Sequence, residues 1–300
     1  MRLKYLCTFI IIGLLSCNNP SKKNTVKVNR YAFDLQGHRG ARGILPENSL
    51  EAFQKAMDFG VNTLELDVVI SKDSLVVVSH EAYMNPKICK KPDGQKVQSK
   101  SDFNLFEMTY AEIKQFDCGS MGHPDFPDQK PMETYKPLLS EVIQLSTKNL
   151  REKGFRPVLN IEIKSSPETD GIFHPEPEIF VDLVVSTIKN GLIPTYMIVL
   201  QSFDERVVRY IIDNYSEFKA AYLVEKGRFY DNLEKLGKTP QIYSPLYTLL
   251  DSVQVKQAHD SGLKVIPWTV NNVTDMRALL EMGVDGMITD YPNKAKPIHK

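Results

Sequence analysis

From residue 31 onward, short apolar runs alternate with stretches whose apolar positions recur every three or four residues. Runs of the first kind read as buried strands and stretches of the second as amphipathic helices, so the chain reads as βα units around a parallel sheet. The candidate strands are Ala32–Gly37, Val61–Ile70, Pro157–Lys164, Met197–Ser202, Lys219–Val224, Gln241–Ser244, Lys264–Thr269 and Gly286–Thr289. Candidate helices fall between them at Ser49–Phe59, Leu138–Lys153, Pro177–Asn190, Phe203–Asn214, Leu249–Ser261 and Val273–Met282. Leu50, Phe53 and Met57 share one face of the first, and Asn48 with Glu51 suits a capping box at its start. Gly191, Gly262 and Gly283 follow helices, where left-handed C-caps are expected. Eight strands with intervening helices predict an α/β fold of the (β/α)₈ TIM-barrel type. An open doubly wound sheet would carry GxGxxG after its first strand, and none is present there.

Two stretches break the pattern. Val76-Val77-Val78 is strand-like but only Ser71–Ser74 separates it from the second strand, too few residues for a parallel crossover. It must return antiparallel, and a two-residue loop at Lys72-Asp73 would set His80 opposite Glu65. The second stretch, Glu81–Pro137, is rich in Pro, Gly, Lys and Asp and reads as a lobe inserted after that hairpin.

The amino terminus has a different character. Residues 1–16 hold Arg2 and Lys4, then an apolar run too short for a membrane span of roughly 20 residues but suited to a secretory signal. Leu14-Leu15-Ser16 before Cys17 resembles the lipobox of bacterial lipoproteins, with cleavage before Cys17 and lipidation of that residue; the alternative is a plain signal with an incidental cysteine. The expected division is signal 1–16, lipidated Cys17 and polar tether 17–30, and barrel 31–300 with insert 81–137. This places the mature protein in the cell envelope, exported and held to a membrane through its lipid. Of four cysteines, only Cys89 and Cys118 remain after Cys7 and Cys17, and an oxidising compartment lets them pair if their geometry permits. The chain carries 37 basic and 37 acidic residues, and loss of Arg2 and Lys4 leaves 35 against 37. No basic excess supports a nucleic-acid surface, whereas a small anionic substrate needs only a local cluster.

Such a cluster is legible at the C-terminal ends of the strands, where barrel active sites form. Gly37-His38-Arg39-Gly40 closes the first strand, and Arg39 and Arg42 offer forked donors suited to phosphate, or a plain solvated turn. In Leu64-Glu65-Leu66-Asp67-Val68, alternation turns both acids one way and the apolar residues the other. Asn160-Ile161-Glu162-Ile163-Lys164 repeats the arrangement. Glu65, Asp67 and Glu162 therefore converge in the mouth, either in a salt-bridge network or as oxygen ligands for one hard divalent cation, Mg²⁺, Ca²⁺ or Mn²⁺. Lys164 stands beside them as a point charge for an anion. His38 and His80 reach the same mouth and suit acid/base work in phosphoryl chemistry. Gln201 offers a hydrogen bond to a polar ligand, and Trp268, the only tryptophan, either stacks on substrate or packs in the core.

The ordered set resembles the glycerophosphodiester phosphodiesterase family. The resemblance rests on Gly37-His38-Arg39-Gly40, Pro46-Glu47-Asn48-Ser49 with Ala52-Phe53, Glu65-Leu66-Asp67-Val68 with Ser71-Lys72-Asp73, and Val76-Val77-Val78-Ser79-His80-Glu81. Asn160–Lys164, Gln201-Ser202-Phe203, Trp268–Asn271 and Gly286–Pro292 continue it, so it spans nearly all of the mature chain. Ser49 stands where Thr is usual and Glu81 where Asp is commoner. The resemblance implies His38 and His80 as the acid/base pair, Glu65, Asp67 and Glu162 as ligands of one cation, and Arg39 and Lys164 on the phosphate. The implied activity is cleavage of glycerophosphodiesters to glycerol 3-phosphate and an alcohol. Two other readings stay open: a phospholipase D-like barrel lyase acting on lipid head groups, and a non-catalytic lipoprotein that binds phosphodiesters. The lyase would want apolar residues exposed at the mouth, for which Phe103, Phe106, Met108, Phe116 and Phe126 of the insert are candidates.

Overall fold

The computed structural model describes residues 33–295, so the signal, Cys17, the tether and His299 lie outside the described residues. The chain opens with β1 (Asp34–Gly37), α1 (Leu50–Phe59), β2 (Thr63–Ile70) and β3 (Val76–Val78). A lobe containing the short helix α2 (Tyr110–Ile113) follows. Then come α3 (Leu139–Lys153), β4 (Val158–Ile163), α4 (Pro177–Asn190), β5 (Ile198–Ser202), α5 (Glu205–Asn214) and β6 (Lys219–Val224). The last elements are α6 (Phe229–Leu236), β7 (Ile242–Pro245), α7 (Ser252–Asp260), β8 (Lys264–Val265), α8 (Val273–Met282), β9 (Gly286–Thr289) and α9 (Pro292–Ala295).

Eight strands run parallel in the order β8-β7-β6-β5-β4-β2-β1-β9, with β3 antiparallel on β2. The seam is closed by the Asp285 N–H to the Val265 carbonyl and the Ile288 N–H to the Pro267 carbonyl, both 2.9 Å. This is the TIM barrel that the sequence pattern predicts. Only β8 falls well short of its expected length, because Pro267 offers β9 a carbonyl but no N–H. Leu64, Leu66 and Val68 face outward and are fully buried beneath the helices. Inside the barrel, Val199, Ala221, Ile242, Ile266 and Ile288 form an apolar layer on the β5–β9 side, leaving the β1, β2 and β4 side to polar residues.

Local details correct four expectations. The N-cap of α1 is Ser49, whose hydroxyl accepts the Ala52 N–H; Asn48 has φ 54° and turns its amide elsewhere. Gly262 and Gly283 are left-handed as expected, but Gly191 has φ −78° and the positive φ falls on Leu192. What Gly191 supplies is room, since a Cβ there would lie 2.8 Å from Ile143 on α3. The β2–β3 turn has three residues rather than two, with Ser74 at φ 61°, and the pairing of Val68 with Val78 sets Ser79 beside Asp67, so His80 does not come opposite Glu65. Finally, α6 is a helix that the element list from the sequence omits, although Phe229, Leu233 and Leu236 recur on one face and Gly237 caps it in the left-handed region.

The lobe builds its own core from Met84, Ile88, Cys89, Val97, Leu105, Ile113, Phe116 and Cys118. Val69 and Val77 join it, so the face of β2 that carries Glu65 and Asp67 runs on beneath the lobe. Cys89 and Cys118, 29 positions apart, are disulfide-bonded. The five apolar lobe residues offered to the mouth pack inward instead. Phe103 meets Phe116 edge-on at 4.9 Å, Met108 lies on the lobe core, Phe106 lies on the barrel core, and Phe126 is buried.

Opening the disulfide tests how far this core stands alone. The double variant Cys89→Ser, Cys118→Ser is expected to lose about 3–4 kcal/mol of unfolding free energy, the chain-entropy value for a loop of this length. Urea titration measures it, and an unchanged midpoint would show that the bond constrains nothing the fold does not already fix.

Candidate active site

The polar half of the barrel is built by alternation on neighbouring strands. Parallel register sets Glu65 beside Asn160 and Asp67 beside Glu162 on β2 and β4, and Glu162 beside Gln201 on β5. One carboxylate oxygen each from Glu65, Asp67 and Glu162 lies within 4.8 Å of the others, and all three residues are buried. Directly opposed like charges on adjacent strands repel, and out of water they do so more strongly.

The three acids respond differently. Burial, and then the charges of Asp67 and Glu162, push Glu65 well above the ordinary carboxylate range. Burial also raises Glu162, against the pull of Lys164. Asp67 goes the other way: burial opposes ionisation, but the charges of Arg39, His80 and Lys164 and the amide of Asn48 outweigh it. Lys164 lies 2.6 Å from Glu162 and 3.7 Å from Asp67, and those charges raise it despite burial. Asp67 Oδ1 has no hydrogen-bond partner. Three converging carboxylates with an orphaned oxygen fit a hard divalent cation in chemistry and in size.

The loop after β1 holds this cluster from above. Arg39 has φ 48°, and its backbone N–H donates to Glu65 Oε2 at 2.9 Å. Its guanidinium bonds Glu47 at 2.9 Å and stands 3.3 Å from Asp67. Glu47 also takes Arg42 at 2.6 Å, and Arg42 lies over the Phe126 ring of the lobe at 4.5 Å. Burial opposes ionisation of Glu47, yet the two arginines hold it far below the usual range. Asn48 donates to Asp67 at 2.8 Å. At Gly40, φ is 86° and a Cβ would stand 2.6 Å from the Ala52 backbone, so only glycine lets this loop settle onto α1.

Each predicted histidine carries a carboxylate on Nδ1. His38 meets Asp290 at 2.6 Å, and Asp290 in turn accepts from the Asn271 amide at 2.6 Å. His80 meets Glu81 at 3.0 Å. With Nδ1 so engaged, Nε2 is the nitrogen left to act, and that of His38 lies 4.0 Å from Glu65. Burial lowers His38 even against Asp290, favouring its neutral form. Burial would raise Glu81, but its hydrogen bond from His80 and the charge of that ring lower it. His80 also acts electrostatically on both Asp67 and Glu162, so the two rings address one cluster.

Asp290, Asn271, Glu47 and Glu81 have no role in the sequence reading, although all four lie in the quoted motifs. The available signal was position: Asp290 follows β9 just as His38 follows β1. The two substrate candidates part company. Gln201 is buried and its amide bonds Glu65 and Asn160. Trp268 is half-buried, with its indole N–H on the Ser244 carbonyl and its ring edge-on to Phe203 at 5.2 Å. Phe203 in turn lies 6.0 Å from the Lys164 ammonium.

Residues 38–294 match the profile of the Glycerophosphoryl diester phosphodiesterase family. The chain is 30 % identical to an uncharacterized protein of Bacillus subtilis, over 88 % of this chain and 97 % of the relative. It is 28 % identical to the glycerophosphodiester phosphodiesterase of Caldanaerobacter subterraneus, over 85 % and 93 %. A crystal structure of a putative glycerophosphoryl diester phosphodiesterase from Silicibacter pomeroyi superposes with TM-score 0.79 at 29 % identity, covering 89 % of this chain and 92 % of that one.

The crowded acids give a direct test. Adding Mg²⁺ or Ca²⁺ to about 100 times its dissociation constant is expected to stabilise the fold by about 2.7 kcal/mol. Thermal unfolding with and without chelator measures this. Glu162→Gln should shrink the gain, and a gain equal to that of wild type would place the cation elsewhere.

Proposed function

We propose that this chain, which belongs to the glycerophosphoryl diester phosphodiesterase family, cleaves glycerophosphodiesters to glycerol 3-phosphate and an alcohol with His38 and His80 as its acid/base pair. The observation that carries this reading is the pair of histidine–carboxylate contacts beside one cluster of three buried acids, with His38 4.0 Å from Glu65 and the charge of His80 felt at Asp67 and Glu162.

Glu65, Asp67 and Glu162 would hold one divalent cation, which when bound supplies Lewis-acid polarisation of a phosphate oxygen. Lys164 and Arg39 are the cations nearest that point and stabilise negative charge as it grows on the phosphorus oxygens. One histidine takes a proton from the attacking oxygen at Nε2, and the other returns a proton to the departing alkoxide; the attacker is water, or the glycerol hydroxyl with water then opening the cyclic phosphate, so one water is consumed for each diester cleaved. Asp290 holds His38 in the tautomer that keeps Nε2 free, and Asn271 fixes Asp290. Glu81 serves His80 in the same way.

The lipid-headgroup alternative gains nothing from the lobe phenylalanines, which are packed rather than displayed at the mouth. We further propose export and lipid anchoring through Cys17. The signal-like terminus supports it, and the Cys89–Cys118 bond suits an oxidising compartment.

Purified protein given glycerophosphocholine with Mg²⁺ or Ca²⁺ is expected to release glycerol 3-phosphate, and to stop when a chelator is added. No release under either metal would refute the activity. Asp290→Asn should lower kcat by about 10²–10⁴-fold with little change in KM, as loss of a tautomer-fixing carboxylate does elsewhere. Equal effects on both constants would instead assign Asp290 to substrate binding. Cys17→Ser should release the protein from membranes, and unchanged retention would refute the anchor.

A further inference from the structure

We propose that Gln36, Asn160 and Gln201 form an amide ladder across the barrel interior that positions Glu65, so that cation affinity depends on residues that touch no cation. The inference rests on the cation reading above and goes beyond it to residues beneath the site.

The ladder starts at the floor of the barrel. Asp34 accepts from the Thr63 hydroxyl at 2.7 Å and from Gln36 Nε2 at 2.8 Å. Asn160 Nδ2 donates to Gln36 Oε1 at 2.8 Å and to Gln201 Oε1 at 3.0 Å. Gln201 Nε2 donates to Glu65 Oε1 at 2.9 Å. Gln36, Asn160, Gln201 and Glu65 are each no more than 2 % exposed, so water does not compete for these groups.

The polarity of the ladder follows from its ends. When ionised a carboxylate accepts only, so with Asp34 and a cation-bound Glu65 charged, Gln36 aims its NH₂ at Asp34 and Gln201 aims its NH₂ at Glu65. Both glutamine carbonyls then face Asn160. One amide nitrogen carries two hydrogens and can serve both, which is the arrangement observed. Its consequence is that Asn160 Oδ1 is left without a partner in a buried position. Turning any one amide over would set NH₂ against NH₂ or carbonyl against carbonyl, so the three amides hold one orientation together.

The result is felt at Glu65. Its two oxygens are pinned from opposite sides, Oε1 by Gln201 and Oε2 by the Arg39 N–H. Repulsion from Asp67 and Glu162 would otherwise swing this carboxylate out of the cluster. Gln201 is therefore a positioning residue in the barrel wall, and Gln36 acts on Glu65 from three hydrogen bonds away.

Mn²⁺ titration calorimetry on the full chain tests this, with far-UV circular dichroism to verify folding. Gln201→Met is expected to weaken Mn²⁺ binding by about 10–100-fold, the usual effect of removing a partner of a ligating residue. Gln36→Met should weaken it by a smaller factor, and the double variant should be no worse than Gln201→Met alone, because the two act in series. Wild-type affinity in both folded single variants would overturn the ladder while leaving the cation site intact. Should Gln201→Met fail to fold, Gln36→Met at the far end decides the question on its own. Absence of Mn²⁺ binding by wild type would overturn the cation reading, and this inference with it.

Discussion

Three buried carboxylates on adjacent strands impose the constraint from which most of the barrel's polar half follows. Asp67 and Glu162 stand directly opposite each other in the β2–β4 register, and Glu65 lies one pleat below Asp67. No arrangement of the barrel places them apart, because alternation fixes the face and hydrogen bonding fixes the register. The surroundings must hold them in place. Lys164 sits between Glu162 and Asp67, the Arg39 guanidinium and the Asn48 amide reach Asp67, and the Arg39 N–H reaches Glu65. Two of these helpers need left-handed backbone at non-glycine residues, Arg39 and Asn48. Strain of this kind persists where neighbouring contacts over-determine it, and here the contacts are the carboxylates themselves.

The same constraint explains why the interior is divided. An apolar layer from β5 to β9 closes one side, while amides and acids line the other. If the polar side were spread around the barrel, each group would lack a partner; gathered on one side, on β1, β4 and β5, Gln36, Asn160 and Gln201 satisfy one another. Asn160 Oδ1 is the exception, and the polarity of the ladder accounts for it.

How much of this was legible depended on which rule governed each residue. The acids of β2 and β4 were legible because period-two alternation has no competing solution on a strand. His80 lies in the region expected, but by a different route from the one the hairpin argument gave. Its turn has three residues and uses Ser74 in the left-handed region, which no glycine or asparagine announced. Asn48 suited an N-cap by type, and Ser49 took that role because Asn48 was drawn to Asp67. Gly191 marked a helix end correctly but for the wrong reason, since the contact with Ile143 decides its identity. Gln201 was read as a donor to a polar ligand, and in the folded barrel its amide donates to Glu65. Strand alternation tells which way an amide points but not whether it ends at solvent or at a carboxylate 2.9 Å away.

The two histidines are held by different parts of the molecule, and this separates what the barrel determines from what the lobe determines. His38 is fixed by β1, by Asp290 after β9 and by Asn271 after β8, all of them barrel elements. His80 follows β3, and its carboxylate partner Glu81 begins the lobe. Nearby, Lys136 at the lobe's far end donates to Ser79 at 2.8 Å, and the Ser79 hydroxyl donates to the Glu81 carbonyl at 2.6 Å. Both ends of the lobe therefore close on the backbone that carries His80. Changes in the lobe that shift Lys136 or Glu81 reach His80 first, whereas changes around Phe126 or Gln129 reach Arg42 on the loop after β1. A lobe attached in this way can vary in sequence and shift the His80 ring through its ends, while its middle bears on the loop after β1 through Gln129 and His123.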